Sequence, residues 1–147
     1  AVLGGKLYAA GGMNEAEEAT SNLVERYDFE TNAWEAVAPL AEARYDHAVA
    51  VLDGKLYAVG GGRENGDGYL SSVERYDPAL DAWEAVAPME TALACCGVAA
   101  LDGKLYAVNA WEAVAPMAYA VGGKDYDVDD GLLLLSSVER YDPGGCN

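Results

Sequence analysis

The sequence predicts an all-β fold, in which antiparallel sheets of four strands repeat along the chain. The first observation is a shared spacing: LYA triplets begin at Leu7, Leu56 and Leu105, and the motifs ERYD and WEAVAP recur after the same 49 residues. A period near 50 residues is typical of repeat architectures. The second observation is that each copy divides into short runs separated by glycine, proline or aspartate. Four short strands joined by tight turns are the unit of a β-propeller, called a blade.

The intact copy, residues 41–89, gives the four strands in order. Its apolar or alternating runs cover residues 47–52, 55–59, 71–77 and 82–87. The first run ends at Asp53-Gly54, a strong hairpin signal. The third and fourth runs stop before Pro78 and Pro88, since proline cannot donate to a strand ladder. Small residues in the first run and the bulky Trp83 in the fourth indicate a strand order that is numbered from the propeller axis outward.

The repeated unit resembles a kelch repeat. Members of that family carry a glycine doublet after the second strand, a tyrosine in the third strand and a tryptophan shortly afterwards. These marks occur twice in register, at Gly11-Gly12, Tyr27 and Trp34, and at Gly60-Gly61, Tyr76 and Trp83. The amino-acid sequences of the copies are most similar to those of the kelch-like adaptors of the BTB-kelch type. The resemblance implies a kelch-type propeller that binds partner proteins.

We interpret the whole chain, residues 1–147, as a single kelch-repeat domain of about three blades. A partial blade covers residues 1–40, a complete blade covers residues 41–89, and a rearranged blade covers residues 90–147. In the last of these, residues 109–123 carry an outer-strand sequence out of place and then a second copy of the second strand. The distance from Glu74 to Glu139 is consequently 65 residues rather than 49.

Three blades are too few for a normal closed ring, because propellers usually carry 4–8 blades. The sequence therefore predicts an incomplete or open ring. Three arrangements stay open: a homodimer that completes a six-blade ring, a fragment of a longer protein, and an open or strained three-blade assembly. The first two are favoured over a closed three-blade monomer.

Composition narrows the class of partner. Acidic residues outnumber basic ones 25 to 9, which gives a formal net charge of -16. This balance argues against nucleic acid as a partner and disfavours anionic membranes. No apolar stretch reaches the roughly 18 residues that a membrane span needs. Three cysteines are too few for a disulfide framework, so we expect free thiols and a cytoplasmic location.

Partner-binding residues are predicted from the loops that the resemblance implicates, those between strands two and three and between strand four and the next blade. They are Arg44, Tyr45, Arg63, Asn65 and Tyr69. In kelch-like adaptors an arginine just before the inner strand often faces the ligand, and Arg44 holds that place. A guanidinium can bind a carboxylate through two hydrogen bonds, and a tyrosine is a frequent interface anchor. The alternative is that both arginines merely pair with acidic neighbours.

The predicted function is a protein–protein interaction module. The resemblance adds substrate recognition within a ubiquitin-ligase adaptor as an implied role. No catalytic residue, metal or cofactor is expected: His47 is the single histidine, and the acidic segment 125–131 departs from the spacing of a calcium loop. The alternatives are a non-functional fragment or an artificial repeat scaffold, and, behind these, a propeller enzyme of the galactose-oxidase or sugar-isomerase kind.

Overall fold

A computed structural model describes residues 1–14, 19–63, 68–110 and 135–141 of the chain. For residues 109–110 and 135–141 it describes the backbone alone. The segment 109–123, Cys146 and the acidic stretch 125–131 therefore lie wholly or mostly outside the described residues. In the described part of the chain, no helix has the length and apolar character that a membrane span requires.

Eleven strands make up the described structure. They are β1 Val2–Leu3, β2 Lys6–Asn14, β3 Ala19–Asp28, β4 Ala33–Val37, β5 Ala48–Leu52, β6 Lys55–Val59, β7 Val73–Asp77, β8 Ala82–Val86, β9 Gly97–Leu101, β10 Lys104–Ala110 and β11 Leu135–Tyr141. They form two four-stranded sheets, β1–β4 and β5–β8, and a three-stranded sheet in which β10 lies between β9 and β11. We call these sheets blades 1, 2 and 3. They confirm the kelch-type antiparallel blades, and the described strands form an open series that does not close into a ring.

The repeat appears in the structure as an identical strand register. Ala9 pairs with Glu25 in blade 1, and Ala58 pairs with Glu74 in blade 2. In blade 3, β11 pairs with β10 so that Glu139 lies opposite Ala107, the same relative position. The 65-residue spacing therefore leaves the pairing of the second and third strands unchanged, although it lengthens the connection between them.

Two apolar clusters join the blades. The first lies between blades 1 and 2 and contains Leu3, Tyr8, Val24, Leu40, Leu56, Ala58 and Tyr76. The second lies between blades 2 and 3 and contains Ala50, Leu52, Tyr57, Val59, Val73, Met89, Leu93, Leu105 and Ala107. Each strand of blade 2 thus sends alternate side chains into two different cores, as strands buried on both faces do. Burial of apolar area in these clusters is the main stabilising contribution of the fold.

Each linker between two blades passes close to a glycine doublet. The linkers are residues 38–47, between β4 and β5, and residues 87–96, between β8 and β9. The amide of Gly12 donates to the carbonyl of Arg44 over 2.8 Å, and the amide of Gly61 donates to the carbonyl of Leu93 over 2.7 Å. Gly60, at the same turn, has φ +64, and a Cβ placed on it would lie 2.3 Å from the Leu93 carbonyl oxygen. Glycine is needed here because the conformation is left-handed and the next linker passes too close for a side chain.

The substitution Gly60→Ala should lower the free energy of unfolding by about 3 kcal/mol, since it adds a steric clash to the cost of a left-handed alanine. Gly54→Ala is the matched control, because Gly54 has φ +70 and nothing within 4 Å of an added Cβ. It should cost only about 1 kcal/mol. Chemical denaturation of both variants measures the difference, and equal costs would show that the close approach of the linker is unimportant.

Candidate functional site

A buried ion pair lies where the linker from blade 1 enters blade 2. The side chain of Arg44 is fully buried and Glu74 is 3% exposed. Arg44 Nη2 donates to Glu74 Oε1 over 2.7 Å, and Nη1 donates to the carbonyl of Gly60 over 2.7 Å. Ser72 accepts two further bonds, at its carbonyl over 3.2 Å and at its hydroxyl over 3.1 Å. The cation is therefore compensated on several sides, as a buried charge must be.

Glu74 also holds the linker itself. Its carboxylate accepts hydrogen bonds from the amides of Ala41, over 2.7 Å, and Glu42, over 3.2 Å. Glu74 belongs to the repeated motif ERYD, and its neighbour Arg75 points to the other side of β7. There Arg75 bonds Glu84 of the adjacent strand over 2.5 Å. The first residue of the motif thus makes contacts between blades, and the second makes contacts between strands within one blade.

The linker has two further polar contacts with blade 2 near its start. Asp81 Oδ1 accepts from the amide of Ala38 over 2.9 Å and from the hydroxyl of Tyr76 over 2.8 Å. These two donors hold the pKa of Asp81 below its usual range. The indole N–H of Trp83 donates to the carbonyl of Ala38 over 2.9 Å. Tyr76 and Trp83 of the kelch pattern therefore pack in the core and also help to hold the linker in place, Trp83 directly and Tyr76 through Asp81.

Glu42 connects this buried network to the surface. Its Oε1 lies 3.0 Å from Nε of Arg63, whose side chain is 52% exposed. Its Oε2 accepts from the Ser72 hydroxyl over 3.1 Å and lies 3.9 Å from Nη2 of Arg44. A polar path therefore runs from the exposed Arg63, through Glu42, to the buried pair.

Tyr45 and Tyr69 lie beside Arg63. Gly62 forms antiparallel bridges with both Tyr45 and Tyr69, which brings the two loops together. A Cβ on Gly62 would lie 2.4 Å from Cζ of the Tyr45 ring, so the ring packs directly against this glycine. Tyr45 is half-buried, whereas the side chain of Tyr69 is 64% exposed.

The structure thus brings together four of the five residues that the sequence predicts for partner binding. Tyr45, Arg63 and Tyr69 lie on or near the surface at the end of blade 2 that carries these two loops, which we call the loop end. Asn65 lies outside the described residues. Arg44 differs from the expectation that it faces a ligand, because its guanidinium points inward to Glu74. Arg44 pairs with Glu74 and Arg63 pairs with Glu42, as the alternative interpretation of the two arginines predicts. Partner binding by these residues stays a prediction, and the burial of Arg44 favours a positioning role for it.

Sequence reasoning missed Glu42 and Ser72. Glu42 is the acidic residue of the segment AEAR, two places before Arg44, and the matching position in the next copy is Thr91. Ser72 matches Leu23 in the first copy. The signal in the sequence is weak, because the third copy also has polar residues at the matching positions, Thr91 for Glu42 and Ser137 for Ser72. The acidic charge of Glu42 is the feature that Thr91 lacks.

His47 is packed between the glycine turns of blades 1 and 2. Neither ring nitrogen has a well-formed hydrogen bond, and both are buried. Burial lowers the pKa of His47 most, and the nearby Arg44 cation lowers it further, to about 4. The carbonyl of Ala10 and the carboxylates of Asp46 and Glu74 offset this only in part. His47 is therefore neutral at pH 7 and is part of the packing between the blades.

No group of three or more histidine, cysteine, aspartate or glutamate side chains is arranged to hold a metal ion among the described residues. Cys95 and Cys96 are free thiols. Burial is the main factor that raises the pKa of both above the ordinary value for cysteine. Neither thiol therefore has the lowered pKa of a reactive cysteine.

The blades, their glycine turns and the buried linker contacts define a repeat protein of the propeller class. The Kelch motif family model matches residues 1–41 and 43–90, and this chain belongs to that family. The matched residues contain blades 1 and 2 and both Arg44 and Glu74, and Glu42 falls between the two matched ranges.

Kelch-like protein 21 is similar to part of the chain. The proteins from Bos taurus, Mus musculus and Homo sapiens are each 51% identical to it over 47 residues. That segment is 32% of this chain and only 8% of the length of each relative. The solved structure of YjhT is similar in fold, with a TM-score of 0.56 at 25% sequence identity, over 70% of this chain and 30% of YjhT.

Replacing Arg44 with alanine should lower the free energy of unfolding by about 3–5 kcal/mol, because it leaves the Glu74 carboxylate buried without its cation. Glu84→Ala is the matched control: it breaks the exposed pair with Arg75 and should cost less than about 1 kcal/mol. Urea denaturation followed by tryptophan fluorescence measures both values. Similar costs for the two variants would contradict the importance of the buried pair.

Stability should also depend on His47 between pH 6.5 and 4. The unfolded chain binds a proton at this histidine near pH 6.5, whereas the folded chain does so only near pH 4. Stability from this group is complete above pH 6.5 and falls by about 3 kcal/mol as the pH drops to 4. In His47→Asn that decline should be absent, and an unchanged decline in the free energy of unfolding would contradict the assignment.

Proposed function

We propose that this chain is a protein-interaction module that recognises a partner protein through the loop end of blade 2. The observation that carries the proposal is the cluster of Tyr45, Arg63 and Tyr69 on that end. An aromatic pair beside an arginine is the composition that dominates binding energy at protein interfaces. Loops on a rigid sheet are also the usual place for recognition residues.

The buried network supports this proposal by fixing the two loops. Glu42 holds Arg63, and Gly62 bridges Tyr45 to Tyr69. A surface whose side chains are already positioned loses less conformational entropy when a partner binds. Arg44 would then act through Glu42 and Glu74 rather than by contacting the partner.

The chemistry of the partner surface follows from the charges. The guanidinium of Arg63 already pairs with the carboxylate of Glu42. The chain as a whole carries a formal charge of -16. A carboxylate from the partner would compete with Glu42 for the exposed guanidinium, whereas a basic partner would be attracted over longer range by the net charge. We propose a partner patch of mixed polarity, with an apolar or aromatic centre for the tyrosines and a basic rim.

A role in a ubiquitin-ligase adaptor is a further part of the proposal, and it rests on the similarity to kelch-like proteins. Because the similar segment is a small part of those relatives, the role belongs to a larger protein or complex. The cytoplasmic location and the pairing of two chains into a six-blade ring stay predictions. The same holds for the prediction that the chain is not an enzyme.

Two variants test the loop end directly. Tyr69→Ala together with Arg63→Ala should reduce the recovery of partner proteins at least tenfold in a quantitative pull-down, because each hot-spot residue contributes more than about 1 kcal/mol. The melting temperature should hardly change, since both side chains are exposed. Leu80→Ala is the control: Leu80 is 74% exposed in the turn between β7 and β8, away from the loop end. Equal recovery by the double variant and the control would refute the proposed surface.

A further inference from the structure

The ion pair between Glu42 and Arg63 is not part of the repeat. Four other pairs recur at matching positions in two blades, and each of them joins neighbouring strands of one sheet. They are Lys6–Asp28 and Arg26–Glu35 in blade 1, and Lys55–Asp77 and Arg75–Glu84 in blade 2. Glu42 and Arg63 join two loops instead, and they match the uncharged Thr91 and Asn14 in the other copies. Their pair is therefore particular to the loop end.

The carboxylate of Glu42 lies against two donors and a second cation. Its Oε1 lies 3.0 Å from Nε of Arg63, and its Oε2 accepts from the hydroxyl of Ser72 over 3.1 Å. Nη2 of Arg44 lies 3.9 Å from the same Oε2. A charged donor and a hydroxyl thus address the two oxygens separately, which is the arrangement of a carboxylate-binding site. In this chain the carboxylate that fills the site is its own.

Two of these three groups are held in place without the Glu42 side chain. Nη2 of Arg44 donates to Glu74 over 2.7 Å, and Nη1 donates to the carbonyl of Gly60 over 2.7 Å. The carbonyl of Ser72 accepts from the amide of Gly60 over 3.1 Å. The backbone amide of Glu42 itself donates to Glu74 over 3.2 Å. Truncation of the Glu42 side chain should therefore leave the site formed.

The site can be reached from solvent, since the side chains of Glu42 and Arg63 are 35% and 52% exposed. An incoming carboxylate has to displace a tethered one, whose effective concentration is on the order of millimolar or higher. The net charge of -16 adds repulsion, but charges farther than about 8 Å away are largely screened at physiological ionic strength. The contact with Glu42 is therefore the main barrier to an acidic ligand.

We propose that Glu42 is the specificity-determining residue of the loop end: it occupies a preformed carboxylate site and thereby closes Arg63 and Ser72 to acidic segments of a partner. The loop end then selects a partner segment that is neutral or basic where it meets Arg63. This choice of partner rests on the proposed function, whereas the occupied carboxylate site is a property of the free chain.

The test is an NMR titration of the full chain with N-acetylglutamate methylamide, a blocked amino acid that carries one carboxylate. The Nε–H resonance of Arg63 and the amide resonance of Gly62 report binding. E42A should bind the probe at least about tenfold more tightly than the unsubstituted chain, because the tethered competitor is gone. N-acetylglutamine methylamide has nearly the same shape without the charge, and its weak binding should not differ between the two proteins.

Three further variants serve as controls. The Gly62 resonance should show that adding R63A to E42A removes the gain. E84A frees Arg75 from a comparable exposed pair, and it should gain much less affinity because Ser72 and Arg44 contribute only at the loop end. E42Q removes the charge and keeps the shape, so it should gain affinity to a smaller extent. It also provides the test if the amide spectrum shows that E42A is unfolded.

The proposal is wrong if the folded E42A or E42Q chain binds the probe no better than the unsubstituted chain. A gain that R63A does not remove, or an equal gain in E84A, would also overturn it, since the probe would then bind any released arginine. The titration needs no partner, so its failure leaves the pull-down test of the loop end intact. Conversely, a pull-down that refutes the loop end as a partner surface leaves the carboxylate site itself in place.

Discussion

The ion pair between Arg44 and Glu74 is the polar interaction on which the position of the linker between blades 1 and 2 depends. Taking two charges out of water is costly, and their mutual attraction offsets that cost only if the remaining donors and acceptors are satisfied. Here the carboxylate accepts from the guanidinium and from two linker amides, while both terminal nitrogens of the guanidinium also bond Gly60 or Ser72. Nε of Arg44 is buried and has no hydrogen-bond partner among the described residues, so the cation is satisfied at its two terminal nitrogens alone. The pair therefore fixes the linker on blade 2 and, through Glu42, the exposed Arg63.

Comparison of blades 1 and 2 shows how strongly context determines what a repeated residue does. Glu25 and Glu74 occupy the same register position, yet one is exposed and the other buried. Trp34 and Trp83 differ in the same sense, and only Trp83 has a described bond to a linker carbonyl. The repeated residues define the face of each blade, whereas contact with a neighbouring blade and its linker decides whether that face is buried.

Much of the fold could be predicted from the sequence, because period, turn residues and alternation are local signals. The strands of blade 2 fall where the glycine and proline residues indicated, and even β11 keeps its register after the 65-residue spacing. The site was predicted less well. Arg44 was identified, but its direction was not, because the side chain is oriented by Glu74, 30 residues away in sequence. Glu42 was missed because it matters only once Arg63 and Ser72 lie beside it.

The measurement that tests the central claim most directly is a double-mutant cycle on the pair, with Arg44→Leu, Glu74→Leu and the combined variant, each unfolded in urea. If the pair fixes the linker, each single change strands a buried charge, and the double change relieves it. The predicted interaction energy is about 2 kcal/mol or more, with the double variant more stable than the sum of the single changes implies. Additive effects, with an interaction energy below about 0.5 kcal/mol, would contradict the account.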